Sequence, residues 1–131
     1  MKEIDKTEGA KWLLEFFSLR DQAGPIIAGV ARADVSGSQE DKLAAYSEAL
    51  EKLPVILKAM REAVSPRMKE LRKIKMLQQS AMDAYIKSCE WGMQLQTDPS
   101  RVRYSAQTFF VSQANFHWDL ASEEIDSFFE K

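Results

Sequence analysis

Two side chains that occur only once in the chain, His117 and Cys89, are the obvious candidates for chemistry. Histidine can act as a general base or a metal ligand, and cysteine can act as a nucleophile when its thiolate is stabilised. A catalytic Cys–His pair also needs an orienting group and an oxyanion site, and no motif for either is present. We therefore interpret His117 as a partly buried histidine bonded to a neighbour; the alternative is a haem ligand or a polar contact to a small molecule.

The sequence motifs of the common metal and phosphate sites are missing. A di-metal carboxylate bundle needs Glu-x-x-His pairs on two helices, but the residue three positions before His117 is Ala114. Zinc sites need several Cys or His ligands, and the chain has one of each. Neither a glycine-rich phosphate loop nor a Gly-x-Ser-x-Gly turn occurs. The sequence therefore predicts a protein that is not an enzyme and has no cofactor or metal.

Two glutamines, Gln78 and Gln113, fall near the centres of apolar helix faces. A buried amide costs about 1–3 kcal/mol unless its hydrogen bonds are satisfied. The structural interpretation is that the two bond each other, Tyr85 or His117, and so fix the register of their helices. The functional alternative is that they are polar anchors inside a ligand cavity.

Composition indicates one globular domain, residues 1–131, with 45% apolar and 29% charged residues. The net charge of −2 gives no global attraction to nucleic acid. The basic residues between Lys58 and Lys75 are spread around their helix without interleaved aromatic residues, so nucleic-acid binding is not predicted. The longest apolar runs are too short for a membrane helix, and the single cysteine fits a reducing compartment. These features predict a cytoplasmic protein.

The elements that would position these residues are four long helices. With only five glycines and four prolines, the chain is dominated by good helix formers. Apolar residues recur at spacings of three and four from about Thr7 to Asp34, and Gly24-Pro25 predicts a kink within that stretch. Ser36-Gly37-Ser38 separates it from the second helix, with Gly37 expected in the left-handed conformation.

Cap signals delimit the later helices. Ser38 followed by Asp41 is typical of an N-cap at the start of the second helix. Ser65-Pro66 predicts a capping serine with proline at the first position of the third helix, which runs to about Gln96. Thr97-Asp98-Pro99 repeats this signal before the fourth helix.

Short connections between helices of similar length predict an all-α, antiparallel, up-down-up-down four-helix bundle. In that arrangement the basic stretch from Lys58 to Lys75 would face the acidic residues from Asp119 onward, which favours the compact form. The alternative is a continuous helix from Glu40 to Gln96 through Ser65-Pro66, which would give extended helices intertwined in a dimer.

The third and fourth helices carry more apolar surface than one core face requires. The fourth helix is expected to face the core with a row made of Val102, Ala106, Phe109, Phe110, Gln113, Phe116, His117 and Leu120. A second row on each helix is either further core or a protein interface rich in aromatic residues. The interface residues predicted from it are Leu77, Trp91, Leu95, Tyr104, Val111, Trp118, Ile125 and Phe129.

The function predicted from these observations is protein association, as a homodimer or as a subunit that docks a partner. The alternative is a small-molecule-binding bundle with an apolar core cavity. The residues expected to line that cavity are Gln78, Met82, Tyr85, Phe109, Gln113, Phe116 and His117.

Overall fold

The computed structural model describes residues 2–130, which fold into α-helices without any strand in that range. The helices are α1 (Glu3–Arg20), α2 (Gly24–Ser36), α3 (Gln39–Glu62), α4 (Lys69–Thr97) and α5 (Arg101–Glu130). A 3₁₀ turn, Asp21–Ala23, joins α1 to α2. The predicted all-α helical bundle is confirmed.

The interruption expected at Gly24-Pro25 is this 3₁₀ turn. Pro25 lies in the first turn of α2, where its missing N–H leaves no intrahelical bond unmade. Phe16, Ala23 and Val30, on either side of the turn and within it, are all buried, so the apolar face of the first stretch carries across the interruption as predicted.

The cap at the start of α3 is the one predicted from the sequence. The Asp41 backbone N–H donates to the Ser38 hydroxyl, and the Ser38 N–H donates to the Asp41 carboxylate, each at 3.1 Å. The left-handed conformation expected of Gly37 is wrong, because this residue is extended, with φ −83° and ψ 157°. Its amide donates to the Ala33 carbonyl at 2.9 Å without a left-handed turn.

The chain leaves the helical conformation after Glu62, so the continuous helix through Ser65-Pro66 is wrong. Proline disfavours the α conformation in the residue before it, which separates the two helices. Side chains from elsewhere bind the carbonyls freed there: Lys75 Nζ donates to the Ala63 oxygen at 2.6 Å, and Trp12 Nε1 to the Val64 oxygen at 3.0 Å. Helix α4 begins only at Lys69, so Pro66 is not its first residue.

The core has two parts. The larger draws buried residues from all five helices and is centred on residues such as Leu53, Met60 and Met82, which are fully buried. The smaller joins α1 and the start of α4 to the end of α5, and its buried residues are Leu13, Met68, Leu71, Ile74 and Phe128. Because α4 packs against both α3 and α5, both of its apolar rows are largely buried.

Contacts between distant segments define the two ends of the bundle. At one end Arg67 Nη2 lies 2.6 Å from the Asp5 carboxylate of α1, and Lys73 Nζ lies 2.7 Å from that of Glu124 in α5. At the other end Tyr46 of α3 bonds Gln107 of α5. The facing of basic and acidic segments is confirmed at Lys73–Glu124, whereas Arg67 pairs with α1 instead.

Candidate functional site

Helix α5 lies at the edge of the bundle, because it packs along α4 and touches the other helices at few points. Val102, Phe109 and Phe116 are spaced seven residues apart, so they lie close to one line on its surface. They are 75%, 56% and 58% exposed, respectively. Three large apolar side chains therefore form a stripe on the outward face of α5, which we call the α5 stripe.

The expectation that the whole predicted row faces the core is wrong for Val102, Phe109 and Phe116, whereas Phe110 of the same row packs against the larger core. The residues of α5 that are buried are Ala114, Ala121 and Phe128, which also lie seven apart but on another side of the helix. Both alanines are fully buried, and their small side chains let α5 approach its neighbours closely. Large rings at those contact positions would hold the helices apart. The phenylalanines at 109 and 116 consequently point outward.

The residues predicted as an interface are divided between packing within the chain and exposure. Leu77 is buried, and Trp118 packs its ring 5.9 Å from that of Tyr85. Tyr104 and Phe129 are exposed. The remaining members are half-buried, namely Trp91, Leu95, Val111 and Ile125. This second row therefore lies beside helix contacts rather than forming one open surface.

The residues predicted to line a ligand cavity are brought together only in part, because Phe109, Gln113 and His117 border one cleft between α4 and α5. Gln78, Met82 and Tyr85 are buried in the bundle, whereas Phe109 and Phe116 lie on the outward face of α5. Gln78 Oε1 has no partner within residues 2–130, so it accepts none of the hydrogen bonds predicted for this residue from Gln113, Tyr85 or His117. The two glutamines therefore do not fix the helix register through each other.

His117 is half-buried and pairs with the backbone of its own helix. Its Nδ1 lies 2.8 Å from the Gln113 carbonyl oxygen, one turn earlier. Both residues border a shallow cleft of about 280 Å³ between α4 and α5, beside Asp83 and Lys87. The expectation of a histidine bonded to a neighbour is met by this contact.

Charges of opposite sign flank the two ends of the α5 stripe. Arg101 lies beside its start, and Asp119 and Glu123 lie beside its end; all three side chains are exposed. None of them forms an ion pair with another described residue, whereas Arg103 pairs with Asp98 at 3.0 Å. The stripe is therefore apolar along its length and bears unpaired charges of opposite sign at its two ends.

A polar cleft that the sequence did not indicate lies between the start of α5 and the facing ends of α2, α3 and α4. Its volume is about 400 Å³. On its wall the Tyr46 hydroxyl donates to the Asp34 carboxylate at 2.6 Å and accepts from Gln107 Nε2 at 2.7 Å. Burial and the Asp34 bond raise the pKa of Tyr46 above its ordinary value, so the phenol stays protonated.

The only sequence signal for this cleft is Gly92, a glycine inside a long helical pattern. The Tyr46 ring lies against its backbone, in the space that a side chain would occupy. A sequence pattern indicates that such a glycine has a packing reason but not which ring fills the space.

Cys89 lies in the core and is 1% exposed. Burial raises the pKa of its thiol to about 12, because the thiolate would lose its hydration. At neutral pH the sulfur is therefore a buried, protonated thiol, which is a poor nucleophile.

Within residues 2–130 there is neither a side-chain cluster suited to a metal ion nor a helix suited to spanning a membrane. No three His, Cys, Asp or Glu side chains lie close enough to hold a metal ion. No helix there is long and apolar enough to cross a membrane.

Comparisons of the chain with family models, with curated proteins and with solved structures found no match.

Proposed function

We propose that the protein acts by protein–protein association through the α5 stripe and not by catalysis. The observation that carries this proposal is the outward position of Val102, Phe109 and Phe116 on an edge helix. Burying a large apolar side chain is worth about 1.5–3 kcal/mol, so three on one line offer a partner substantial binding energy. Aromatic side chains are also those that protein interfaces enrich.

Other exposed apolar residues do not offer a comparable surface. Leu14, Val35 and Val55 each lie on a different helix, and isolated exposed residues of this kind are common on globular proteins. The α5 stripe differs because its members share one face over about 21 Å, at 1.5 Å per residue from Val102 to Phe116. We also propose a cytoplasmic location, because a single cysteine fits a reducing compartment.

A photo-reactive benzophenone amino acid at position 109 tests the proposal. Because Phe109 is exposed, the substitution leaves the core intact, and irradiation in the cells that produce the protein is expected to give one defined adduct. The adduct is measured by gel shift and identified by mass spectrometry. The matched control carries the same amino acid at Val55, which is 67% exposed on α3.

Adducts from position 109 that disappear when Phe116 is also changed to serine would support association through this face. Equal yields from positions 109 and 55, or no adduct from either, would contradict it.

A second candidate, small-molecule binding, is favoured by the polar cleft at Tyr46. The cleft presents the Asp34 carboxylate, the Tyr46 hydroxyl and the Gln107 amide in about 400 Å³, within the range of ligand pockets. Native mass spectrometry distinguishes the two candidates. Association predicts a second polypeptide in the ion, whereas small-molecule binding predicts one chain with a small added mass.

A further inference from the structure

We infer that the partner at the α5 stripe is a second copy of this chain, with the two α5 helices packed antiparallel. This inference rests on the proposed function, because it names the occupant of the same face. The α5 stripe is complementary to itself only when it is turned end for end.

The two phenylalanines of the α5 stripe are placed symmetrically along the helix. Most protein dimers are symmetric about a two-fold axis, so that residue i of one copy meets residue j of the other and the reverse. Phe109 and Phe116 lie at equal distances on either side of the point between Ser112 and Gln113. A two-fold axis through that point therefore places Phe109 of each copy against Phe116 of the other. Both rings are then covered in both copies.

The opposite charges of Arg101 and Glu123 are also placed almost symmetrically about this axis point. Arg101 lies about eleven residues before the axis point and Glu123 about eleven residues after it. At 3.6 residues per turn both fall on the same edge of the stripe, within about 40° of each other. In the antiparallel arrangement Arg101 of one copy is adjacent to Glu123 of the other, twice per dimer.

A parallel packing of the two α5 helices is electrostatically unfavourable. A parallel pair would bring Arg101 beside Arg101 and Glu123 beside Glu123, and like charges placed together are unfavourable. It would also align the two helix dipoles in the same direction, whereas antiparallel helices place opposite partial charges side by side. Both electrostatic terms favour the antiparallel pair.

The size of the stripe sets the expected strength of the contact. One helix face about 21 Å long, from Val102 to Phe116, gives an interface smaller than those of permanent dimers. The dimer is therefore expected to dissociate on dilution, and its affinity should depend on ionic strength through the Arg101–Glu123 contacts.

Single cysteines test the geometry. Ser112 and Ser105 are exposed residues one heptad apart on the same edge of the stripe. In the antiparallel dimer the two copies of position 112 lie next to the axis, whereas the two copies of position 105 are about 22 Å apart along the helices. A short bismaleimide should cross-link Ser112→Cys into a dimer and leave Ser105→Cys monomeric. The parent chain is the control for Cys89, whose buried thiol is expected not to react.

Charge reversal provides an independent measurement by sedimentation equilibrium. Arg101→Glu is expected to weaken dimerisation about 3- to 10-fold at low salt, since exposed ion pairs contribute little each. Arg101→Glu combined with Glu123→Arg should restore the parent affinity, which a loss of fold would not allow.

The cross-linking and benzophenone results separate the antiparallel dimer from the proposed association through the α5 stripe. Cross-linking at both positions would indicate a parallel pair, and cross-linking at neither would exclude a second copy at this face; either overturns the inference. A benzophenone adduct at position 109 that contains a different protein would overturn it as well, while leaving the proposed function in place. No adduct from position 109 would remove both.

Discussion

Replacing Phe128 with alanine is expected to lower the free energy of unfolding by about 3–5 kcal/mol. Phe128 is 1% exposed and is the buried residue that α5 contributes to the smaller core, against which the half-buried Ile125 of α5 also packs. Its ring lies against the backbone of Gly9 in α1, so close that a Cβ atom there would be 2.5 Å from Phe128 Cζ. Removal of the ring leaves a cavity that the surrounding helices cannot close without moving. Urea unfolding followed by circular dichroism measures the change.

The neighbouring phenylalanine provides the matched control. Phe129 is 40% exposed, so Phe129→Ala should change the free energy of unfolding by less than about 1 kcal/mol. Equal destabilisation by both substitutions would contradict the placement of the end of α5. A loss confined to Phe129→Ala would mean that the helix is turned the other way.

Gly92→Ala is expected to destabilise the protein by about 1–3 kcal/mol, although alanine is the better helix former. A Cβ at this position would lie 2.5 Å from Tyr46 Cζ and 2.7 Å from Gln107 Nε2. The buried tyrosine ring is held by its bond to Asp34, so relief of the overlap disturbs the wall of the polar cleft. Thermal unfolding is expected to show a lower midpoint.

Gly29→Ala is the control for this substitution, because the nearest atom to the added methyl is Arg32 Nη2 at 3.9 Å. With open space around it, the change should stabilise α2 by about 0.5–1 kcal/mol by reducing the freedom of the unfolded chain. The opposite signs of the two alanine substitutions are the diagnostic result. Stabilisation by Gly92→Ala would show that Tyr46 does not occupy the space beside the helix.

The helices and several of their ends could be predicted because they depend on local chemistry. The Ser38–Asp41 cap uses side chains three residues apart, so its signal is complete within the sequence. The start of α4 was less predictable, because the chain around Ala63 is held by Trp12 and Lys75, which come from elsewhere in the sequence. Long-range hydrogen bonds of this kind leave no periodic pattern.

The orientation of α5 could not be predicted from periodicity. One side presents the α5 stripe with Phe109 and Phe116, and another presents Ala114 and Ala121 beside Trp118. A hydrophobic pattern ranks the side with the larger residues as the core, but close helix packing selects the side with the small ones. Periodicity therefore predicts the excess apolar surface on α5 but not that Val102, Phe109 and Phe116 are among its exposed residues.

The polar cleft was missed for a different reason. Asp34, Tyr46 and Gln107 come from three helices, and each is an ordinary residue in its local sequence. Only the packing that brings α2, α3 and α5 together places the carboxylate, the hydroxyl and the amide within hydrogen-bonding distance. Such a site becomes visible when the tertiary structure is known.

Sedimentation velocity over a range of concentrations tests the central claim, association through the α5 stripe, most directly. The parent chain should sediment increasingly as a dimer as its concentration rises. Phe109→Ser with Phe116→Ser should remain monomeric at every concentration with an unchanged unfolding midpoint, and Val55→Ser should behave as the parent. A dimer that persists in the double variant would contradict the account, and so would a parent chain that is monomeric at every concentration and yields no adduct from position 109.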